Sequence, residues 1–408
     1  MSQHAELQKK TLKTLTAAQI GAGVGTAGTV AAGSLLVASI TGSEELAGLA
    51  QTFSVLGAAA LALPLARLTA KGGRRTALSF GYAAGVLGSV FAILGGVHSN
   101  IFLMLSGSFL VGSASASAYQ ARFAAIDLVE EAHRAKQLSY VVWGSTVGAV
   151  TGPNLMSPAG DLAEHFGLPR LTGPYMISAT TLTLASLLIY IFLKPDPYLT
   201  ALGEGKSYNA GKKHIKEALS HIWQKPIALF AILSIAIGHL VMVSVMVMTP
   251  VHMAHVDVSL KIIGLVISVH VIGMYAFSPV VGGISDRIGR IKTIQAGLLI
   301  LLASAVVSGT AAADDVPRLG FGLFLLGLGW SFTLIAGSAL LSSSVDPTLK
   351  TSTQGASDLV MNLAGAGGGA AAGVIISSLT YGWLCAFAAV PVIALAIWSA
   401  SFRSFEAP

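Results

Sequence analysis

Apolar runs of about twenty residues recur along the whole sequence. The stretch AILSIAIGHLVMVSVMVM, residues 231–248, contains no Asp, Glu, Lys or Arg, and similar runs follow each other with short polar breaks. A helix needs about 20 apolar residues to cross a bilayer. Charged residues make up 10% of this chain, whereas a soluble domain has roughly a quarter. We therefore predict an all-α, multi-pass membrane protein surrounded by lipid.

The runs predict twelve membrane-spanning helices in two sets of six. Their predicted bounds are 14–41, 46–70, 76–98, 100–128, 137–158, 172–194, 226–252, 259–282, 292–312, 317–343, 351–379 and 381–403. A basic segment punctuated by prolines separates the sixth run from the seventh. We predict two halves, residues 1–193 and 226–408, joined by a cytoplasmic linker at 194–225. The first run is too long for a signal peptide, so we expect it in the mature protein.

Basic residues predict the orientation, because cytoplasmic loops of membrane proteins are enriched in Lys and Arg. With the N-terminus inside, nearly all basic loop residues fall on the cytoplasmic side, and loops containing Glu45, Asp161 and Asp314 fall outside. Both termini are then cytoplasmic, and we expect a monomer in the plasma membrane. The net charge of +6 follows from this topology and gives no sign of nucleic-acid binding. No loop carries a nucleotide-binding motif, so we expect neither an enzyme nor a cofactor.

The loop after the eighth span reads GGISDRIGRIK, residues 282–292. It resembles the G-x-x-x-D-R-x-G-R-K signature of the major facilitator superfamily. The matching positions are Gly282, Asp286, Arg287, Gly289 and Arg290. The corresponding first-half loop keeps Gly73, Arg74 and Arg75 but lacks the aspartate. The resemblance implies two pseudo-symmetric six-helix bundles and secondary transport by alternating access.

The same loop predicts a gate. Asp286 would face the N-terminal end of the fifth span, where the helix dipole favours an anion. Arg287 and Arg290 would meet acidic residues, and breaking these contacts would free the cytoplasmic gate. The acidic candidates are Asp127, Glu130 and Glu131. The alternative is a basic turn that only sets the topology.

Two further patterns lie inside predicted spans. Small residues four apart on the fifth span resemble the glycine-proline motif of many facilitator-family antiporters, although a tight helix contact explains them equally well. These residues are Gly144, Gly148, Gly152 and Pro153. Asp358 and Asn362 share one face of the eleventh span. Because intramembrane acids are usually functional, Asp358 is a candidate for proton coupling, with a structural ion pair or a gate as the alternative.

Methionine and histidine are concentrated near the seventh and eighth spans, and residues 242–274 hold five of the ten methionines. His239, Met242 and Met246 share one face of the seventh span, and His270 and Met274 share one face of the eighth. Counted at about 1.5 Å per residue, the two stripes lie at matched depth near the midplane. Thioether and imidazole ligands suit monovalent copper, whereas calcium and magnesium prefer oxygen.

The motifs Met242-x-x-x-Met246 and His270-x-x-x-Met274 resemble the paired motifs of bacterial facilitator-family copper importers that supply cytochrome oxidase assembly. The resemblance implies that these four residues bind and pass copper, and we expect His239 to assist. Residues nearer the outside would form the approach to this site. They are Met248, His252, Met253 and His255.

Other interpretations of the stripes stay open. Methionine is an adaptable packing residue, and close relatives in the same resemblance move organic solutes such as riboflavin. The first alternative function is a proton-coupled antiporter that exports amphipathic organic compounds or drugs, with protons returning through Asp358. The second is a non-transporting membrane sensor, which the lack of a large soluble domain disfavours.

Overall fold

The computed structural model describes residues 3–43, 46–203, 220, 222–254, 256, 258 and 260–402, and every regular element among them is helical. The predicted all-α fold is confirmed. Several residues named above lie outside the described ones. They are Glu45, His255, most of the linker, and the side chain of Pro153.

The first half forms seven described helices. They are α1 (Gln3–Thr41), α2 (Leu49–Val97), α3 (Ile101–Ala124), α4 (Arg134–Asn154), α5 (Met156–His165), α6 (Gly173–Phe192) and α7 (Pro197–Leu202). Helix α2 has 49 residues, or about 70 Å at 1.5 Å per residue, more than twice the hydrocarbon thickness. It breaks at Gly73, whose φ of 82° is a conformation that favours glycine. Helix α2 therefore supplies two of the predicted spans.

The second half also forms seven described helices. They are α8 (Pro226–Ala254), α9 (Leu260–Val271), α10 (Ser278–Ile288), α11 (Arg290–Gly309), α12 (Val316–Ser344), α13 (Lys350–Ser378) and α14 (Tyr381–Ser399). A π-helix, Ile272–Ala276, joins α9 to α10, so these three elements form the eighth predicted span. Short π-helical segments occur mostly inside α-helices and often at functional sites.

Ten helices in the described part of the chain are long and apolar enough to cross a membrane. Helix α2 is one of the ten, but it supplies two spans because of its break at Gly73. Helix α4 is not among the ten, but its 21 residues, Arg134–Asn154, overlap most of the predicted fifth span at 137–158. Each of the twelve predicted spans therefore corresponds to a helical segment.

Internal contacts divide the chain into two compact units. One contains Met1–Val129, Gly144–Lys216 and Thr348–Leu359, and the other contains Glu130–Trp143, Glu217–Pro347 and Val360–Pro408. The start of α4 thus belongs to the second unit, and the start of α13 belongs to the first. The predicted bundle boundaries at 193 and 226 stay a prediction.

Candidate transport site and gate

One face of α12 contacts both predicted ligand stripes. Leu323, Gly327 and Trp330 are spaced i, i+4 and i+7, so they share this face. Helix α8 packs mainly on α12 and α14, and α9 and the π-helix pack on α12, whereas α8 and α9 touch each other only slightly. Helix α12 therefore serves as the common support of the two stripes.

His270 is fully buried on α9, and its Nδ1 lies 2.8 Å from the carbonyl oxygen of Leu323. A carbonyl oxygen only accepts hydrogen bonds, so Nδ1 carries the proton. In these apolar surroundings the ring is neutral, which leaves a lone pair on Nε2. That atom has no hydrogen-bond partner among the described residues. A ring held by one nitrogen on a backbone carbonyl, with the other nitrogen open, is the usual arrangement of a metal-ligating histidine.

Met274 lies one turn beyond His270, within the π-helix, and its side chain is buried. Gly327 of α12 lies directly against this turn. A Cβ at Gly327 would clash with the carbonyl oxygen of His270 and the amide nitrogen of Met274. The missing side chain thus lets α12 approach the backbone that carries both residues.

His239 on α8 is held differently. The indole Nε1 of Trp330 donates to His239 Nδ1 at 3.1 Å. Because indole nitrogen only donates, Nδ1 is unprotonated and the ring proton is on Nε2. Neither nitrogen then presents a free lone pair in this conformation, so His239 acts as a helix contact here. Gly365 of α13 packs against the same ring, where a Cβ would lie 2.6 Å from His239 Cδ2.

The other two stripe residues on α8 differ in burial. Met242, one turn from His239, is buried with 5% of its surface exposed. Met246, one further turn along, is half-buried. The stripe predicted from residue spacing is therefore largely inside the protein.

Asp286 lies at the N-terminus of α4. Its Oδ1 and Oδ2 accept hydrogen bonds from the backbone N–H groups of Ala135 and Lys136, at 3.0 and 2.9 Å. These donors are among the first N–H groups of α4, which have no partners inside the helix. The carboxylate therefore meets both the open donors and the positive end of the helix dipole.

Two glycines make this contact possible. A Cβ at Gly282 would lie 2.6 Å from Ser139 Oγ and 2.7 Å from the carbonyl oxygen of Ala135, so α10 can approach α4 only without one. Gly289, with a φ of 96°, separates α10 from α11. Only glycine adopts this conformation without strain.

Arg290 forms the second contact of the predicted gate. Its Nη1 donates to Glu131 Oε1 at 2.6 Å and to Ser343 Oγ at 2.7 Å, and its Nη2 donates to the Glu131 carbonyl. Partial desolvation acts to raise the pKa of Glu131, but the hydrogen bond and Coulombic attraction to Arg290 hold it below the usual value. Glu131 is thus charged throughout the physiological pH range. Arg287 was expected to find an acidic partner, but it is exposed and forms no ion pair with the described residues.

The first-half loop has no aspartate of its own, and the backbone N–H of Arg75 donates to Asp196 Oδ2 at 2.7 Å. Arg74 follows Gly73 just as Arg290 follows Gly289. Its Nε donates to Asp127 Oδ2 at 2.7 Å, and its Nη2 donates to Gln354 Oε1 of α13 at 2.7 Å. Asp127 was expected to meet Arg287 or Arg290, but it pairs with Arg74, and both side chains are 1% exposed.

Asp358 and Arg122 form a second buried ion pair in the same unit. Arg122 Nη2 lies 2.6 Å from Asp358 Oδ1, and the two side chains are 2% and 1% exposed. Asn362, one turn along α13, is also buried. Arg122 further lies 4.5 Å from the centre of the Phe123 ring, a favourable position for a cation. The pair joins the end of α3 to the start of α13.

The chain is similar to known proteins over most of its length. The family profile of the Major Facilitator Superfamily matches residues 15–368 and 239–406. The chain belongs to the Major Facilitator Superfamily. Members of this superfamily are transporters and not enzymes.

Relatives within the superfamily are similar over most of their length. The uncharacterized transporters YddS and YdeG of Bacillus subtilis are each 36% identical, over 92% and 96% of this chain and 87% and 92% of their own. The riboflavin transporter RfnT of Brucella anthropi is 25% identical over 81% of this chain and 80% of its own.

Solved facilitator-superfamily structures share the fold. A bacterial homologue of the iron transporter ferroportin, in an outward-facing state, superposes with a TM-score of 0.76 at 12% identity, over 98% of this chain and 99% of its own. The transporter FucP in the outward conformation gives 0.72 at 16% identity, over 95% and 98%.

The facilitator-type glycine motif on α4 is a helix contact. Gly148 meets Gly23 of α1 so closely that a Cβ would clash with its backbone, and Gly152 lies against Ala27. Gly144 faces the carbonyl oxygen of Thr16. Within the first unit, the glycines of this motif therefore pack tightly against α1, as the tight-packing interpretation predicts.

Proposed function

We propose that this transporter carries monovalent copper into the cytoplasm across the plasma membrane. Met242, Met246, His270 and Met274 are the proposed ligands, and the protein acts as a monomer with both termini cytoplasmic. The observation that carries the proposal is the open, buried Nε2 of His270, whose ring is anchored through Nδ1. Such a lone pair is costly in apolar surroundings unless a ligand uses it.

The remaining proposed ligands fit the same ion. Thioether sulfur is a soft ligand, and together with imidazole it selects monovalent copper over hard cations. No group of three or more His, Cys, Asp or Glu that could hold a metal occurs among the described residues. A zinc or iron cargo would therefore lack its preferred ligands, whereas a methionine-rich set suits copper.

The contacts of Asp286 and Arg290 are the proposed cytoplasmic gate. Alternating access needs α4 to leave Asp286 in one part of the cycle and return in another. In this proposal the Arg122–Asp358 pair separates during the same transition, and a proton on Asp358 would stabilise the separated state. Asp358, with Asn362 one turn away, is thus the proposed coupling position.

Replacing Asp286 by Asn is expected to slow copper uptake several-fold while leaving the amount of protein unchanged. Asparagine keeps one acceptor oxygen but loses the charge, which is worth about 0.3–2 kcal/mol at a helix terminus. The initial uptake rate in membrane vesicles measures the effect. Asp314→Asn, at an exposed position, is the matched control. If Asp286→Asn takes up copper at the parent rate, Asp286 is not part of the gate.

An organic solute is the second candidate cargo. The relative RfnT is named for riboflavin transport and is 25% identical over most of this chain. Riboflavin uptake should therefore be measured beside copper uptake in the same cells.

Copper accumulation in cells with and without the protein tests the proposal. The parent should raise cellular copper, and Met242→Leu should abolish the gain without changing the protein level. Met176 lies on α6, in the other compact unit, and is half-buried there. Met176→Leu is therefore the control for simple packing. Equal copper content with and without the parent would contradict copper import, and a gain in riboflavin instead would favour the second candidate.

A further inference from the structure

We propose that Trp330 is a positioning residue of the cargo site, linking the α8 stripe to the α9 stripe. The inference rests on the proposed function, because the stripes matter only if they bind the cargo. Trp330 itself lies on neither stripe. It acts through its two aromatic neighbours, His239 and Tyr275.

The link to the α8 stripe is a directed hydrogen bond. Trp330 is 2% exposed, and its Nε1 donates to His239 Nδ1 at 3.1 Å. The two rings are 6.3 Å apart with an interplanar angle of 43°. A buried indole N–H requires an acceptor, so this bond fixes both the tautomer and the rotation of His239. Met242 follows His239 by less than one helical turn, so its position depends on the same segment of α8.

The link to the other stripe is an aromatic edge contact. The ring of Tyr275 lies 5.6 Å from Trp330 at 84°, a T-shaped arrangement. Such pairs contribute a specific geometry beyond simple burial. Tyr275 is adjacent to Met274 in the π-helix, where the backbone is wound more loosely than in an α-helix. The contact therefore fixes the turn that carries Met274.

Backbone contacts on α12 complete the arrangement. Leu323 accepts from His270, and Gly327 lies against the backbone of His270 and Met274. Trp330 follows Gly327 by three residues on the same face. A shift of α8 at His239 is thus transmitted through Trp330 to the π-helix, while α9 stays seated on α12. Correct spacing of the ligands from two helices depends on this side chain.

Silver(I) binding to the purified full-length protein in detergent tests the inference. Trp330→Phe keeps an aromatic ring, although a smaller one, but removes the indole N–H, and it leaves His239 Nδ1 buried without this donor. We expect the dissociation constant for silver to rise about tenfold. Trp398, which packs on Phe230 and Phe402 away from the stripes, supplies the matched control. Trp398→Phe should bind silver with the parent affinity.

Variants of His239 separate positioning from ligation. Asparagine places an acceptor oxygen near the position of Nδ1, so His239→Asn should bind silver nearly as well as the parent. His239→Phe should weaken binding as much as Trp330→Phe, and the double variant should be no weaker than either one. If the two effects instead multiply, His239 acts as a ligand and the link through Trp330 is refuted.

The possible failures are distinguishable. A parent protein that binds no silver contradicts both the proposed function and this inference. A parent that binds silver, together with Trp330→Phe at the parent affinity, contradicts the inference alone. Equal losses in Trp330→Phe and Trp398→Phe would indicate a general packing effect and would also refute it. If Trp330→Phe does not fold, the comparison of His239→Asn with His239→Phe decides the question.

Discussion

Cells carrying His270→Asn are expected to accumulate no more copper than cells without the protein. Asparagine can still donate to the carbonyl oxygen of Leu323, as His270 Nδ1 does at 2.8 Å. It lacks the lone pair that Nε2 presents. The substitution therefore removes a ligand while keeping the contact between α9 and α12. Because disturbing even an outer contact of a metal ligand typically costs about 10- to 100-fold in affinity, loss of the ligand itself should abolish uptake.

The measurement is the initial rate of copper uptake, normalised to the amount of protein in the membrane. His165 at the exposed end of α5 provides the control, and His165→Asn should transport copper like the parent. Copper uptake at the parent rate by His270→Asn would show that the buried ring has only a packing role.

Asp358→Asn is expected to destabilise the protein strongly. The substitution leaves the guanidinium of Arg122 buried, with 2% of its side chain exposed, and without its anionic partner. Removing one member of a buried ion pair typically costs about 3–5 kcal/mol. The double variant Arg122→Met with Asp358→Leu should recover most of this loss, because two apolar side chains of similar size leave no charge uncompensated.

Thermal unfolding in detergent measures this effect. The control is the ion pair between Arg170 and Asp161, whose side chains are 47% and 64% exposed. Exposed pairs contribute about 0–1 kcal/mol, so Asp161→Asn should scarcely change the unfolding temperature. If Asp358→Asn unfolds at the parent temperature, the buried pair does not contribute to stability as its geometry indicates.

Hydropathy alone was sufficient to predict an all-α membrane protein with twelve spans, because lipid imposes one requirement on every span. Each segment must be helical and apolar for about 20 residues, and this requirement is visible in the sequence. The break at Gly73 was also predictable, since the basic turn KGGRR separates two apolar runs.

The neighbours of each stripe could not be predicted in the same way. Residue spacing indicates which side chains share a helix face, but it does not indicate which helix that face meets. His239 and Met242 share a face, yet the ring of His239 is bound to Trp330 on α12. A tryptophan inside an apolar span was the available signal, because its N–H needs a buried acceptor.

For the predicted gate, the sequence indicated one contact correctly and left the other open. The signature at 282–292 correctly indicated a carboxylate at a helix N-terminus, since Asp286 accepts from the first N–H groups of α4. It did not distinguish Arg290 from Arg287, although only Arg290 reaches Glu131. Both arginines follow Asp286 closely, and their directions depend on the turn at Gly289.

The turns at Gly73–Arg74 and Gly289–Arg290 differ in how exposed the acidic partner of each arginine is. Glu131, the partner of Arg290, is 61% exposed, whereas Asp127, the partner of Arg74, is 1% exposed. Asp358, which pairs with Arg122 at the end of α3, is also 1% exposed. Dissolved salt screens exposed charges over about 8–10 Å but barely reaches buried pairs. A rise in the ionic strength of the surrounding solution is therefore expected to weaken the contact of Arg290 with Glu131 just before α4 and to leave the buried pair of Arg122 with Asp358 on α13 intact.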